Sequence, residues 1–134
     1  MVNRLTNLFR DHDDNESDVV ARIIAEATSE GFEVVSPEVG LSDFQPDLVL
    51  KREHDKKVLV VEVTDQAYTT DVDRLNGFVR RAVKTYPEVY GDHPKSVLAS
   101  KGIVPAFVAE AAKSSNIRVV TWSHASDITS GLWL

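Results

Sequence analysis

A chain of 134 residues, 43% hydrophobic and 27% charged, is long enough to bury one core and too short for two comfortable ones, so a single domain is expected. It has no cysteine, which excludes disulfides, thiolate metal sites and a cysteine nucleophile, leaves oxygen or imidazole to hold any metal, and suits a cytoplasmic protein. The net charge of -6 is unevenly spread, with 17 acids and 7 bases over residues 1–73 (net -10) and 4 acids and 8 bases over 74–134 (net +4), which fits an acidic pole beside a basic one and equally fits simple solubility.

Residues 1–14, "MVNRLTNLFRDHDD", lack sustained periodicity and read as a loose arm or a short lead-in helix, and neither a signal peptide nor a membrane span is expected. From Asn15, a plausible N-cap, Val19, Val20, Ile23, Ile24 and Ala27 recur at helical spacing up to Gly31, where a helix stops. "FEVV" is a short strand, and Pro37 and Gly40 mark a loop. Two strand-like runs, 46–53 and 58–64, flank the turn "HDKK" and predict an antiparallel hairpin. A second amphipathic helix over 71–86 has Val72, Leu75, Val79, Ala82, Val83 and Tyr86 on one face and ends at Pro87. "SVLAS" is a buried strand, Pro105 opens a third helix as its first residue, and "IRVVTW" at 117–122 is the last strand. The order αβββαβαβ predicts an α/β fold with a mixed central sheet, its later strands parallel, flanked by helices in three layers.

Two acids stand where apolar residues are expected. Side chains alternate along a strand, so Glu62 shares a face with Thr64, while Asp47 enters the neighbouring strand. Two carboxylates brought together across a hairpin repel unless a proton or cation lies between them. A hard divalent ion suits them: magnesium takes oxygen ligands, often one or two carboxylates, and keeps water molecules. Taken singly, each acid also fits a plain structural role, Asp47 in shaping a strand entry and Glu62 in pairing with a lysine.

The stretches "GFEVV", "QPDLVL" and "VLVVEVT", then an amphipathic helix, then "SVLAS" and "VPAFVAEAAKSSNIRVVTW", resemble in order the PD-(D/E)xK nuclease superfamily, and especially its small archaeal Holliday-junction-resolvase-like members. The resemblance spans residues 16–122 and implies a restriction-endonuclease-like fold, a magnesium or manganese cofactor and hydrolysis of DNA phosphodiesters. Pro46 and Asp47 match the family's PD and Glu62 its (D/E), with the Val63 carbonyl as a further oxygen and Glu16 as a helper on the first helix, Asp18 being the alternative. Thr64 falls where the family has lysine. Threonine brings no positive charge to a developing phosphate anion. A substitute cation could come from Lys84, Arg81 or Lys51, with Gln66 a weaker, uncharged one. Without one, the same fold would bind nucleic acid or a protein partner without cleaving.

Arg74, Arg80, Arg81 and Lys84 give the second helix a basic polar side that could meet phosphates, although a solvated helix face is the plainer explanation. His12, His54, His93 and His124 lack ligand spacing, Ser42, Ser96 and Ser100 lie outside any nucleophile elbow, and no glycine-rich loop suggests a nucleotide cofactor. Trp122, Trp133 and Phe107 read as core or interface aromatics. The apolar end "ITSGLWL" either packs back or joins a partner chain, and a homodimer would suit an enzyme that cuts two strands.

Overall fold

The computed structural model describes residues 14–35 and 44–129. The N-terminal arm before Asp14, the loop with Pro37 and Gly40, and residues 130–134 of the apolar tail, with His12, Ser42 and Trp133, lie outside them. Helix α1 (Glu16–Ser29) begins at a reciprocal capping box: Asn15 Oδ1 accepts the Asp18 N–H and Asp18 Oδ2 accepts the Asn15 N–H, both at 3.0 Å. Val19, Ile23 and Ala27, spaced by four, form its buried stripe. Gly31, at φ +91°, ends it.

Strands β1 (Phe32–Val35), β2 (Leu48–Arg52) and β3 (Lys57–Thr64) pair antiparallel, with Phe32 opposite Arg52 and Leu48 opposite Val61. Helix α2 (Thr69–Thr85) then crosses to β4 (Lys95–Lys101), and α4 (Ala106–Ser114) crosses to β5 (Ile117–Trp122). Both crossovers give parallel pairs, so the sheet is mixed, in the order β1-β2-β3-β4-β5. One core lies between α1 and the sheet face bearing Leu48, Leu50, Leu59, Val61, Val63 and Trp122. The other lies between α2, α4 and the face bearing Val49, Val58, Val60 and Leu98. Strand β3 feeds both cores, which is why it reads as a nearly unbroken apolar run. These are the expected three layers.

Several boundaries differ from the sequence reading. β2 begins at Leu48, so buried Pro46 and exposed Asp47 stand just before it. Pro105 precedes α4 in an extended conformation (ψ 144°) rather than occupying its first turn. Pro87 ends α2 and also opens the single-turn α3 (Pro87–Tyr90), and a 3-10 turn, η1 (Ala125–Asp127), follows β5. Trp122 is buried and donates through Nε1 to the Ala99 carbonyl at 3.2 Å, whereas Phe107 is 67% exposed and is no core residue. Among the described residues no helix is long and apolar enough to cross a membrane.

Gly31 tests the α1–β1 junction. A Cβ there would make ordinary contact with Arg52 Cδ at 3.5 Å, so only the backbone conformation resists a side chain. Gly31→Ala should destabilise the fold by about 1–2 kcal/mol, read as a lower midpoint in denaturant melts.

Candidate metal centre

Glu62 interrupts a run in which its neighbours Val60, Val61 and Val63 are all buried. A valine buried there would contribute roughly 1.5–3 kcal/mol, so a carboxyl group at this position opposes stability unless it has a partner. The partner comes from β2. Continuing the β2–β3 register by one residue past Leu48 and Val61 sets Asp47 opposite Glu62, which alternates with Val60 and so lies on the α2 side of the sheet. Here side chains take over from the backbone ladder. The Asp47 N–H donates to Glu62 Oε1 at 3.1 Å, and the Val63 N–H donates to Asp47 Oδ2 at 2.7 Å. In extended chain a residue's N–H and C=O face the same edge, so the Val63 carbonyl also faces the Asp47 side.

The two carboxyl groups are themselves within hydrogen-bonding reach. Burial, then this hydrogen bond and the charge of Asp47, push the Glu62 pKa up to about 8, with Asp71 adding to the rise and the Asp47 N–H opposing it. Glu16, at the first residue of α1, approaches from the other layer, near enough for Asp65 and Asp47 to act on its carboxyl. Although Glu16 is an exposed residue, partial desolvation of its carboxyl is the largest cause of a raised pKa, followed by the charges of Asp65 and Asp47. Glu16 and Asp47 also line an open depression of about 410 Å³ with Ser17, Val20, Ala21 and Ile24.

The structure thus brings Asp47, Glu62, Val63 and Glu16 to one end of β3. Asp18 is excluded as the helper, since its carboxylate is held in the α1 capping box. Asp65 and Asp71 join the acidic end, and sequence reasoning missed both. Asp65 lies in the turn directly after β3. Asp71 looked like an ordinary first-turn acid and does cap α2, accepting the Tyr68 N–H at 2.7 Å.

The substitute cations do not arrive. Thr64 Oγ1 donates to the Gln66 carbonyl at 2.9 Å and accepts the Gln66 N–H at 3.2 Å, so its hydroxyl closes a turn. Lys84 lies 13 residues beyond Asp71 on α2, about 20 Å along the axis, past the reach of a lysine. Arg81 folds back over Gly77, with Nη1 3.6 Å from where a Cβ would stand, which still leaves about 9 Å of helix before Asp71. Lys51 is four residues from Asp47, about 13 Å along the strand, and its Nζ donates to the Glu88 carbonyl at 3.3 Å. Arg74, Arg80, Arg81 and Lys84 are all exposed, and of these Arg74 lies nearest the acidic end, one turn from Asp71. None of the five acids has an ion pair among the described residues.

Two carboxylates and a backbone carbonyl form an oxygen donor set of the kind magnesium or manganese takes, with coordination left over for water. Among the described residues, no three histidine or carboxylate side chains converge into a ready-made cage, so the set depends on Val63 or water for its third oxygen.

No family model matches the chain, and no curated protein matches it. Among solved structures it is similar to SfsA of Pyrococcus furiosus, determined in complex with Ca2+, at 12% sequence identity and a TM-score of 0.46 over 79% of this chain. The chain matches 53% of that protein, about half its length.

Two predictions follow from the pair's electrostatics. Glu62, with its folded pKa raised above the unfolded value, contributes full stability at acid pH and loses it as pH rises from about 4.5 toward 8. Glu62→Gln should therefore be more stable than the parent at pH 8, by about 2 kcal/mol after allowing for solvent screening, and nearly equal to it at pH 4. Equal differences at both pH values in paired denaturant melts would contradict this. Asp47→Ala leaves the Val63 N–H without its acceptor and should cost about 1–3 kcal/mol, whereas Asp47→Asn keeps an oxygen there and should melt close to the parent.

Proposed function

We propose that this protein is a divalent-metal-dependent nuclease of the restriction-endonuclease-like fold, acting on DNA phosphodiesters in the cytoplasm. The observation that carries the reading is the carboxyl contact between Asp47 and Glu62, set at the end of a hairpin where the strand order and the sequence stretches around it match the PD-(D/E)xK pattern. Asp47 and Glu62 hold magnesium or manganese with the Val63 carbonyl, and Glu16 braces the site from α1. Bound there, the ion supplies charge neutralisation for the phosphate and a more acidic water. Asp47 keeps β2 and β3 in register through the Val63 N–H, so the carboxylates stay aligned without large rearrangement. Arg74 at the acidic end of α2, with Arg80, Arg81 and Lys84 along it, offers charge to the phosphates on either side of the cut. A homodimer presenting two such sites suits two-strand cleavage, and sedimentation velocity tests it.

A second reading is favoured by Thr64. Its hydroxyl is tied into a turn, and no lysine or arginine among the described residues reaches the acid pair, so the same site would bind metal and nucleic acid while cutting slowly or not at all.

Thermal melts and cleavage assays test both. Millimolar magnesium or manganese should raise the melting temperature of the parent protein and leave Asp47→Asn and Glu62→Gln unmoved. Metal-dependent cleavage of linear or branched DNA should vanish in both variants. If the parent binds metal without cleaving, Thr64→Lys, which returns a positive charge to the site, should raise the rate by about 100-fold or more. A parent that gains no stability from either metal contradicts the metal reading.

A further inference from the structure

Among the described residues four large hydrophobic side chains are exposed, and three of them stand at the end of the sheet that holds the acid pair: Tyr68 (54%), Ile103 (95%) and Phe107 (67%). The fourth, Val34, is on the edge strand β1. Tyr68 directly precedes α2, and its N–H donates to Asp71, the acid whose charge acts on Glu62. Ile103 lies in the connection from β4 to α4, and Phe107 is the second residue of α4. Thr64 and Ser100 are in register on β3 and β4, and α2 and α4 begin five and six residues beyond them. Both helices therefore start at nearly the same level, side by side over one core.

The chain holds these side chains outward. Gly102, at φ +70°, donates its N–H to the Trp122 carbonyl at 2.9 Å, and the Pro105 carbonyl accepts from Val108 and Ala109. Val104 packs against the core under α2 and α4. Ile103 is thus the projecting corner of a connection pinned on both sides. Ala67 beside Tyr68 and Val108 beside Phe107 are buried in that same core, while the two rings turn to solvent. Neither ring meets another aromatic ring among the described residues. An apolar ridge of this kind beside a candidate site marks a contact surface.

We infer that Tyr68, Ile103 and Phe107 form a platform on which unpaired bases of a nucleic-acid strand stack, continuous with the acid pair. The strands lie in the order β2, β3, β4, so a path from Asp47 and Glu62 across the sheet end meets Tyr68 first, then Ile103 and Phe107. Packed helices stand about 8–10 Å apart, roughly two to three base steps of about 3.4 Å. Aromatic faces at that interval suit nearby bases of one strand, since every base has a face that stacks on an aromatic ring. Ile103 is of the kind that wedges between bases. Bases inside a duplex have both faces covered already, so the platform selects single-stranded or locally unpaired substrate. Charge disfavours other occupants: the five acids here repel an anionic membrane and the same end of a second copy. A strand held through a metal brings phosphates that the acids can answer. The inference rests on the nucleic-acid part of the proposed function and names its substrate class.

Fluorescence anisotropy tests it with a labelled DNA single strand, the matching duplex, and an abasic strand of equal length that keeps the phosphates and lacks the bases. Each is measured in Mg2+ and in EDTA and checked intact on a gel. In Mg2+ the parent should bind the single strand about tenfold or more tightly than the abasic strand or the duplex. Tyr68→Ala/Phe107→Ala should lose about tenfold or more for the single strand and leave abasic-strand affinity unchanged, a split that misfolding would not produce. Tyr68→Phe/Phe107→Trp should bind as the parent does. If the double alanine variant melts well below the parent, Phe107→Leu, which keeps bulk without an aromatic face, should still weaken single-strand binding by about fivefold. Equal parental affinity for single and abasic strands overturns the inference, as does parent-like binding by the folded double alanine variant. So does a parent dimer that this variant dissolves with no change in DNA affinity, or a parent that sediments with phosphatidylserine vesicles while ignoring DNA. The magnesium-induced rise in melting temperature, measured on the same proteins, reads the acid pair separately. If the rise survives while single and abasic strands bind alike, the platform fails and the metal reading stands. If the rise is absent while base-dependent binding persists in EDTA, the metal reading fails and the platform stands.

Discussion

The structure turns on what happens where the backbone ladder between β2 and β3 stops. A hairpin strand that ended there without a substitute would leave the Val63 N–H unpaired beside the core. Asp47 supplies the acceptor, and its own N–H is answered by Glu62, so two side chains finish a ladder that the backbone began. Meeting that requirement brings two carboxyl groups together, and burial first, then the neighbouring Asp47, lifts the Glu62 pKa to about 8. The strand terminus and the candidate metal centre are therefore one feature. Removing the charge and removing the hydrogen bond have separable consequences.

Other acids collect at the same end because of connectivity. Each parallel crossover returns its helix antiparallel to the strand before it, so the start of α2 lies beside the end of β3, bringing Asp71 close. The α1 start lies there too, since the charges of Asp65 and Asp47 act on Glu16. By the same rule the basic residues at the far end of α2 are carried away from the acids. The molecule acquires an acidic end out of a chain whose first half is acidic.

This geometry also explains how far the sequence could be read. The hairpin and its two acids were legible because strand alternation is a strict two-residue period, and Val60 through Val63 leave Glu62 no ambiguous neighbour. The α1 stripe and its Asn15 N-cap were legible for the same local reasons, whereas the return bond from Asp18 was not. The short α3 was not, because four residues carry no period, and Pro87 signals a stop as readily as a start. Assigning Lys84 to the site failed for a different reason: helix periodicity gives the face of a residue, while its distance from Glu62 depends on the direction of the crossover. That direction was implied by the parallel strands, so the length of α2 alone could have excluded Lys84. Thr64 is the case that local patterns cannot reach, because whether its hydroxyl serves a turn or a substrate depends on the path of the chain through Asp65 and Gln66.

The most direct measurement is paramagnetic broadening of backbone amide resonances by substoichiometric Mn2+. The account predicts that the amides of Asp47, Glu62 and Val63 broaden first, with those of Asp65 and Glu16 next. Broadening centred instead on the exposed acids of the hairpin turn, or no selective broadening anywhere, would contradict it.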